Sequence, residues 1–271
     1  MKRSAILGLL LPLAFALTFA AMAHDVPPVR QPDPYIPGRD VPWVPTPQVL
    51  IDKMLDMARL TPQDVVVDLG SGDGRTVIAA ARRGARARGV EFNSDLVEQS
   101  KRNATDAGVG DAVTFTHGNM FEADISDATV LPLFLLPENL DQLIPKFLAL
   151  RPGTRIVNNG FEFGNWEYDE IGHLAGPACG HWCVAYLYIV PARVVGVWQT
   201  DHGELELQQD FQWLSGTLTT KGQRIPIERG RVRGDVIRFN VNGTRYTGRV
   251  AGDTITGQLS GEYMLRWSAR R

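Results

Sequence analysis

Residues 70 to 74 read Gly-Ser-Gly-Asp-Gly, with an acid, Asp68, just before them and a second acid, Glu91, further along. The preceding Val65-Val66-Val67 is short, apolar and β-branched, as a buried strand is, so Asp68 stands at a strand tip. Glycines have no Cβ, and three of them at the start of the following helix bring a ligand close to bare main chain. Glu91 ends the next apolar run, where in doubly wound sheets an acid takes hydrogen bonds from the two hydroxyls of a ribose. The chemistry implied is capture of a nucleoside.

The spacing then separates one nucleoside from another. A dinucleotide fingerprint reads G-x-G-x-x-G and presents a helix N-terminus to a pyrophosphate. Here the spacing is G-x-G-x-G, and Asp68 and Asp73 would repel a pyrophosphate. The same carboxylates attract the ammonium and sulfonium of S-adenosyl-L-methionine. "DLGSGDGR", "GVEFN" and "GNMFEADISDATVLPLFLLP" resemble class I S-adenosylmethionine-dependent methyltransferases. Within them, they resemble the small lysine methyltransferases that act on the c-subunit of mitochondrial ATP synthase and on the adenine nucleotide translocase, with their bacterial relatives. The likeness runs from about residue 41 to 191. It implies a mostly parallel, seven-stranded, Rossmann-like sheet and a residue set for the cofactor: Asp68, Gly70, Ser71 and Gly72 on the methionine part, Glu91 on the ribose, Asn119 and Met120 beside the adenine. It also implies that Trp43 and Thr46 close over the cofactor, as the matching segment does in the non-SET histone lysine methyltransferases. Trp43 is equally compatible with plain packing. Asn119 departs from the acid more usual at the adenine edge, since its amide oxygen accepts a hydrogen bond without charge.

Alternating elements must hold these residues in place. Apolar positions at helical spacing mark "QVLIDKMLDMARL", with Pro62 beyond its end. Strand "DVVVDLG" follows, then helix 75 to 83, strand "ARGVEF", helix 94 to 107, and strands "AVTFTHG" and "ATVLPLFLL". Helix 138 to 149 and strand "TRIVNNGF" complete an α/β pattern that predicts a parallel sheet covered on both faces. After Pro191 the helical period vanishes, and glycines punctuate short alternating runs such as "VIRFNV" and "YTGRV", which predict an antiparallel β domain. Asn242-Gly243 is a hairpin signal, and "RGDVI" and "AGDTI" each place Gly-Asp at a turn. The aromatics of this region read as core.

With 271 residues, 44% of them apolar, and a formal charge of -2, the chain is large enough for two buried cores and carries no bulk attraction to nucleic acid or anionic membrane. The arginines at 82, 83, 86 and 88 read as a solvated face. Lys2 and Arg3, an apolar stretch and "AMA" before His24 form a secretory signal peptide, so a periplasmic or secreted protein without a membrane span after processing is expected. The expected organisation is signal peptide 1–23, proline-rich arm 24–40, methyltransferase domain 41–192 and antiparallel β domain 193–271. Prolines run through the arm and on to Pro47, which denies it regular hydrogen bonding. Cys179 and Cys183, in "CGHWC", are compatible with a disulfide or with two buried thiols. Their spacing from His173 and His181 matches no standard zinc site, so no metal is expected.

The segment after the fourth strand narrows the acceptor. It holds no Asn/Asp-Pro-Pro-aromatic tetrapeptide to grip the flat amino group of a base, and no cysteine for covalent attack on cytosine carbon. The greasy "LPLFLLPENL" suits a lysine stem, whose amine loses its charge more easily when desolvated. Asn158, Asn159, Phe161 and Trp166 are candidate linings of that slot and are equally well explained by turn and core duties; no catalytic base is evident. Three classes stay open: a methyltransferase acting on protein lysine or a small amine, a noncatalytic binding protein that keeps the crevice, and a nucleotide-dependent oxidoreductase.

Overall fold

The computed structural model describes residues 43–175, 183–260 and 264–271. The expected signal peptide, the proline-rich arm 24–40, Cys179 and His181 lie outside them. The first sheet is laid out by α1 (Gln48–Met57), β1 (Val65–Leu69), α2 (Arg75–Arg82), β2 (Arg86–Glu91), α3 (Ser94–Asp106), β3 (Val113–His117), β4 (Val130–Leu133), α4 (Pro137–Leu148), β5 (Arg155–Asn159), β6 (Glu170–His173) and β7 (Val184–Ile189). Its seven strands run in the order β3-β2-β1-β4-β5-β7-β6. All neighbours are parallel except β7, which is antiparallel to both β5 and β6. Each predicted helix and strand up to β5 is present. β6 and β7 complete the sheet.

Strand pleat explains why one sheet has two cores. Val66 packs with Leu50, Met54, Val77 and Val97 under α1, α2 and α3. Its neighbours Val67 and Leu69 face the other way, onto Leu140, Leu143 and Phe147 of α4. Local signals fix the helix starts: Asn93 caps α3 by accepting the Asp95 N–H at 3.0 Å, and Pro137 opens α4 at the turn where its missing N–H costs nothing. Chain order reverses at β1, which has β2 on one side and β4 on the other. The crevice of a doubly wound sheet opens beyond the carboxyl ends of such strands.

The second sheet contains β8 (Gly196–Thr200), β9 (Gly203–Asp210), β10 (Trp213–Thr220), β11 (Gln223–Pro226), β12 (Glu228–Arg233), β13 (Val236–Val241), β14 (Thr244–Ala251), β15 (Thr254–Ser260) and β16 (Met264–Arg270). All of its pairings are antiparallel, and a β9–β10 pairing joins its two ends, so eight strands form a closed barrel with β11 attached outside. Trp198, Trp267 and Phe239 are buried inside and fill it. The hairpin signals are borne out: Asn242 and Gly243 both have positive φ (46° and 78°) and join β13 to β14. Gly234-Asp235 and Gly252-Asp253 turn the neighbouring hairpins.

Candidate active site

A cavity of about 520 Å³ opens at the carboxyl ends of β1, β2 and β4. It falls within the size range of small-molecule sites. Eight of the nine sequence-predicted residues line it: Trp43, Thr46, Asp68, Gly70, Ser71, Glu91, Asn119 and Met120. The ninth, Gly72, lies beneath Trp43. A Cβ there would collide with the indole, and φ is 55°.

The glycines divide their duties differently from the sequence expectation that all three bare the backbone to a ligand. Gly72 makes room for Trp43. Gly74 makes room for packing, since a Cβ would fall 2.7 Å from Phe115 Cζ and from Ser100 Cβ. Gly70 alone of the three lines the cavity, where an added Cβ would meet only Leu135 Cδ2, at 3.4 Å.

The polarity of the turn decides what it can hold. Gly70 and Ser71 donate their N–H groups to the Val90 carbonyl (2.8 and 3.1 Å), and Gly74 donates to the Ser71 carbonyl at 2.9 Å. Gly72 donates to Glu91 Oε2 at 2.9 Å. Four donors that a phosphate would need are thus committed inside the turn, and carboxylates and carbonyls remain for a ligand. Asp68, Asp73 and Glu91 all border the cavity, and one guanidinium, Arg75, grips Asp73 by its fork (Nε to Oδ1 2.9 Å, Nη2 to Oδ2 2.6 Å). Burial, then Glu91, then Asp73 push the Asp68 carboxyl up from 3.8 to about 8, against a hydrogen bond from Thr76. Ser71 Oγ is buried and unpartnered. This is a site short of positive charge, and the ammonium and sulfonium of S-adenosylmethionine fit it.

Glu91 is held ready by two main-chain donors, Gly72 on Oε2 and Asn93 on Oε1 at 2.8 Å. Each oxygen keeps lone-pair capacity for a hydroxyl. Asn119 lines the cavity, but its amide oxygen accepts the Phe121 N–H at 3.0 Å, which shapes its own turn.

Sequence reasoning missed Arg75. Besides Asp73, it donates to the Thr46 carbonyl at 3.2 Å and stands 5.9 Å from the centre of the Trp43 ring, fastening the 43–47 segment over the glycine turn. The only advance signal was its place directly after the glycines. The apolar wall expected from "LPLFLLP" is present: Pro132, Leu133, Phe134, Leu135 and Leu136 line the cavity, and Phe134 stacks on Phe161 with centroids 6.4 Å apart. For three other candidate linings the core alternative holds. Asn158 and Asn159 are fully buried and outside the cavity, Asn158 Nδ2 being spent on the Phe161 carbonyl at 2.8 Å. Trp166 is core, 1% exposed and stacked on Phe211 at 5.6 Å.

Residues 68–170 match the family described as the ANTKMT methyltransferase domain. A protein-lysine N-methyltransferase of Saccharolobus islandicus (strain REY15A) is 38% identical over 159 residues, which is 58% of this chain and 96% of that protein. A Caenorhabditis elegans protein, named as a lysine N-methyltransferase of the C subunit of ATP synthase, is 29% identical, covering 60% of this chain and 85% of its own. Among solved structures, one described as an RNA methyltransferase from Salinibacter ruber in complex with S-adenosyl-L-homocysteine is 45% identical. It covers 56% of this chain and 96% of its own, with a TM-score of 0.52. With a cation-seeking crevice at the reversal point of a seven-stranded sheet and a relative matched along nearly its whole length, the chain belongs to the S-adenosylmethionine-dependent methyltransferases.

Proposed function

We propose that the protein methylates the ε-amine of lysine in a protein substrate. The observation that carries this reading is the wall facing the carboxylates, where Pro132 to Leu136 and Phe161 make one side of the cavity apolar. When bound, S-adenosylmethionine supplies a methyl group on a positively charged sulfur. Asp68 and the Gly70–Ser71 main chain hold its amino-acid end, Glu91 its ribose, and Asn119 and Met120 flank the adenine. Trp43 and Thr46, tied down by Arg75, cover it. Phe134 and Phe161 exclude water along the approach of the acceptor and strip the lysine ammonium of solvent, favouring the neutral amine. The ammonium's proton would pass to solvent before transfer, and the neutral amine would then take the methyl group that the bound cofactor supplies, turning amine and sulfonium into methylammonium and a neutral thioether with no further proton released. The relatives named for lysine methylation support the same acceptor.

We also propose that the protein acts outside the cytoplasm, on the strength of its N-terminal sequence. Among the described residues no helix is long and apolar enough to cross a membrane. Incubating the protein with methyl-labelled S-adenosylmethionine and an envelope extract, then mapping the label by mass spectrometry, tests the acceptor. Label on lysine side chains is expected; label confined to nucleic acid or to other residue types contradicts the reading. Cell fractionation with N-terminal sequencing tests the location, with a mature chain starting at His24 as the expected result.

A further inference from the structure

The barrel carries a second recess, of about 170 Å³, lined by Arg231, Arg233, Val236 and Arg238. Antiparallel register builds it. Arg231 on β12 stands directly opposite Arg238 on β13, and Arg233 stands opposite Val236, so the three guanidinium stems rise from one face around an aliphatic floor. Two of them are aimed by the neighbouring sheet: Asp169, whose side chain is only 1% exposed, takes Arg231 Nη2 at 2.8 Å and Arg233 Nε at 3.2 Å on Oδ1. Its other oxygen accepts the Ile189 N–H at 2.9 Å. The Arg231 guanidinium also lies 5.0 Å over the Trp213 ring, and that indole is fixed by Glu167 at 2.9 Å. Arg238 makes no hydrogen bond or ion pair with any described residue. Three positive charges meet one negative, and the surplus faces solvent.

The surrounding face deepens the imbalance. Following the pairings outward, Arg238 sits opposite Thr247, which leads through Gln258 to Arg266, while Val236 sits opposite Arg249. Asp235 answers Arg249 at 2.6 Å. Arg266 has no acidic partner among the described residues. Every basic residue on these strands is arginine, whose planar fork matches oxyanions better than an ammonium does. Three forks around one recess, with only one carboxylate between them, match a tetrahedral anion with three or more acceptor oxygens better than a two-oxygen carboxylate.

We infer that this recess binds a single phosphoryl group, by Arg231, Arg233 and Arg238 together, at a site separate from the cofactor cavity. The phosphoryl group belongs either to a free phosphate or to a phospholipid headgroup, and two arms distinguish these sources. In the first, the full chain is titrated calorimetrically with inorganic phosphate at constant ionic strength, with acetate as the control anion. In the second, the full chain is sedimented with phosphatidylcholine vesicles with and without phosphatidylglycerol. Saturable phosphate binding without vesicle retention assigns free phosphate; retention that requires phosphatidylglycerol assigns the headgroup. In either case Arg238→Gln weakens binding roughly tenfold or more and leaves S-adenosylmethionine affinity unchanged. Arg238 is exposed and unpaired among the described residues, so this variant folds, whereas Arg231→Gln would take one of two arginines from the buried Asp169. Absence of saturable binding in both arms, or equal binding by Arg238→Gln, overturns the proposal.

Discussion

Asp68 is the residue in which charge, burial and function meet. It sits among carboxylates in a turn that has spent its own donors, and burial with its acidic neighbours pushes its carboxyl up to about 8. A cation bound beside it would favour the ionised form, so cofactor binding at this site below that pH is expected to expel a proton. Calorimetry between about pH 6 and 9 is expected to show affinity for S-adenosylmethionine rising with pH, by at most about tenfold per unit, and levelling above the Asp68 pKa. Without ligand the sign is opposite. A raised carboxyl contributes stability that is complete below its ordinary 3.8 and is lost as pH rises through about 8. Asp68→Asn is expected to flatten both slopes; an unchanged pH dependence of binding in that variant would remove Asp68 from the site. Asp68 and Glu91 were legible in the sequence because each ends an apolar run at fixed spacing from the glycines. For Asn158 and Asn159 the sequence left a lining role and a core role equally open: two amides at a strand end suit either, and only tertiary packing reveals that both are fully buried.

At the scale of elements, the strand-turn-helix unit from β1 to α2 was legible almost residue by residue, because β-branched runs, glycine spacing and alanine-rich helix are all local signals. Contacts across the sequence were not. Trp43 lies over Gly72, and Arg75 joins Thr46 to Asp73, because a segment without regular structure folds back onto the turn. Trp43→Ala is therefore expected to speed dissociation of S-adenosylmethionine in stopped-flow measurements, with little change in the melting temperature of the unliganded protein. A large loss of melting temperature with an unchanged dissociation rate would make Trp43 a packing residue. Gly74→Ala brings a side chain against Phe115 and Ser100 at a φ of 81°. A cost of about 1–3 kcal/mol is expected in urea denaturation, and a smaller one would show that α2 can shift away from β3. β6 was invisible beforehand: Glu170–His173 has no alternation and a single buried position, Gly172.

Across the whole molecule, the two sheets meet through a few specific contacts. Gln212 donates to the Glu167 carbonyl at 2.8 Å, Phe211 stacks on Trp166, and Asp169, just before β6, takes two arginines of the barrel. Asp169→Ala leaves both guanidiniums without their acid. Because they are half exposed, a loss of about 2 kcal/mol is expected rather than the full cost of a broken buried pair. Thermal unfolding checks this, and a melting curve identical to that of the unmodified chain would show that the ion pairs do not couple the sheets. The antiparallel character of the second sheet was legible from glycine punctuation. Its closure into a barrel was not, because closure needs β8 at the start of the domain to pair with β16 at its end, and the alternation of these strands would serve an open sheet equally well. The claim on which most depends is that the adenosyl group lies across the tips of β1 and β2. A crystal structure of the full chain with S-adenosyl-L-homocysteine tests it most directly. The ribose hydroxyls are expected within hydrogen-bond distance of the Glu91 carboxylate, with the amino-acid end over Gly70 and Ser71. A ligand bound elsewhere, or a Glu91 carboxylate that makes no contact with the sugar, would contradict that placement.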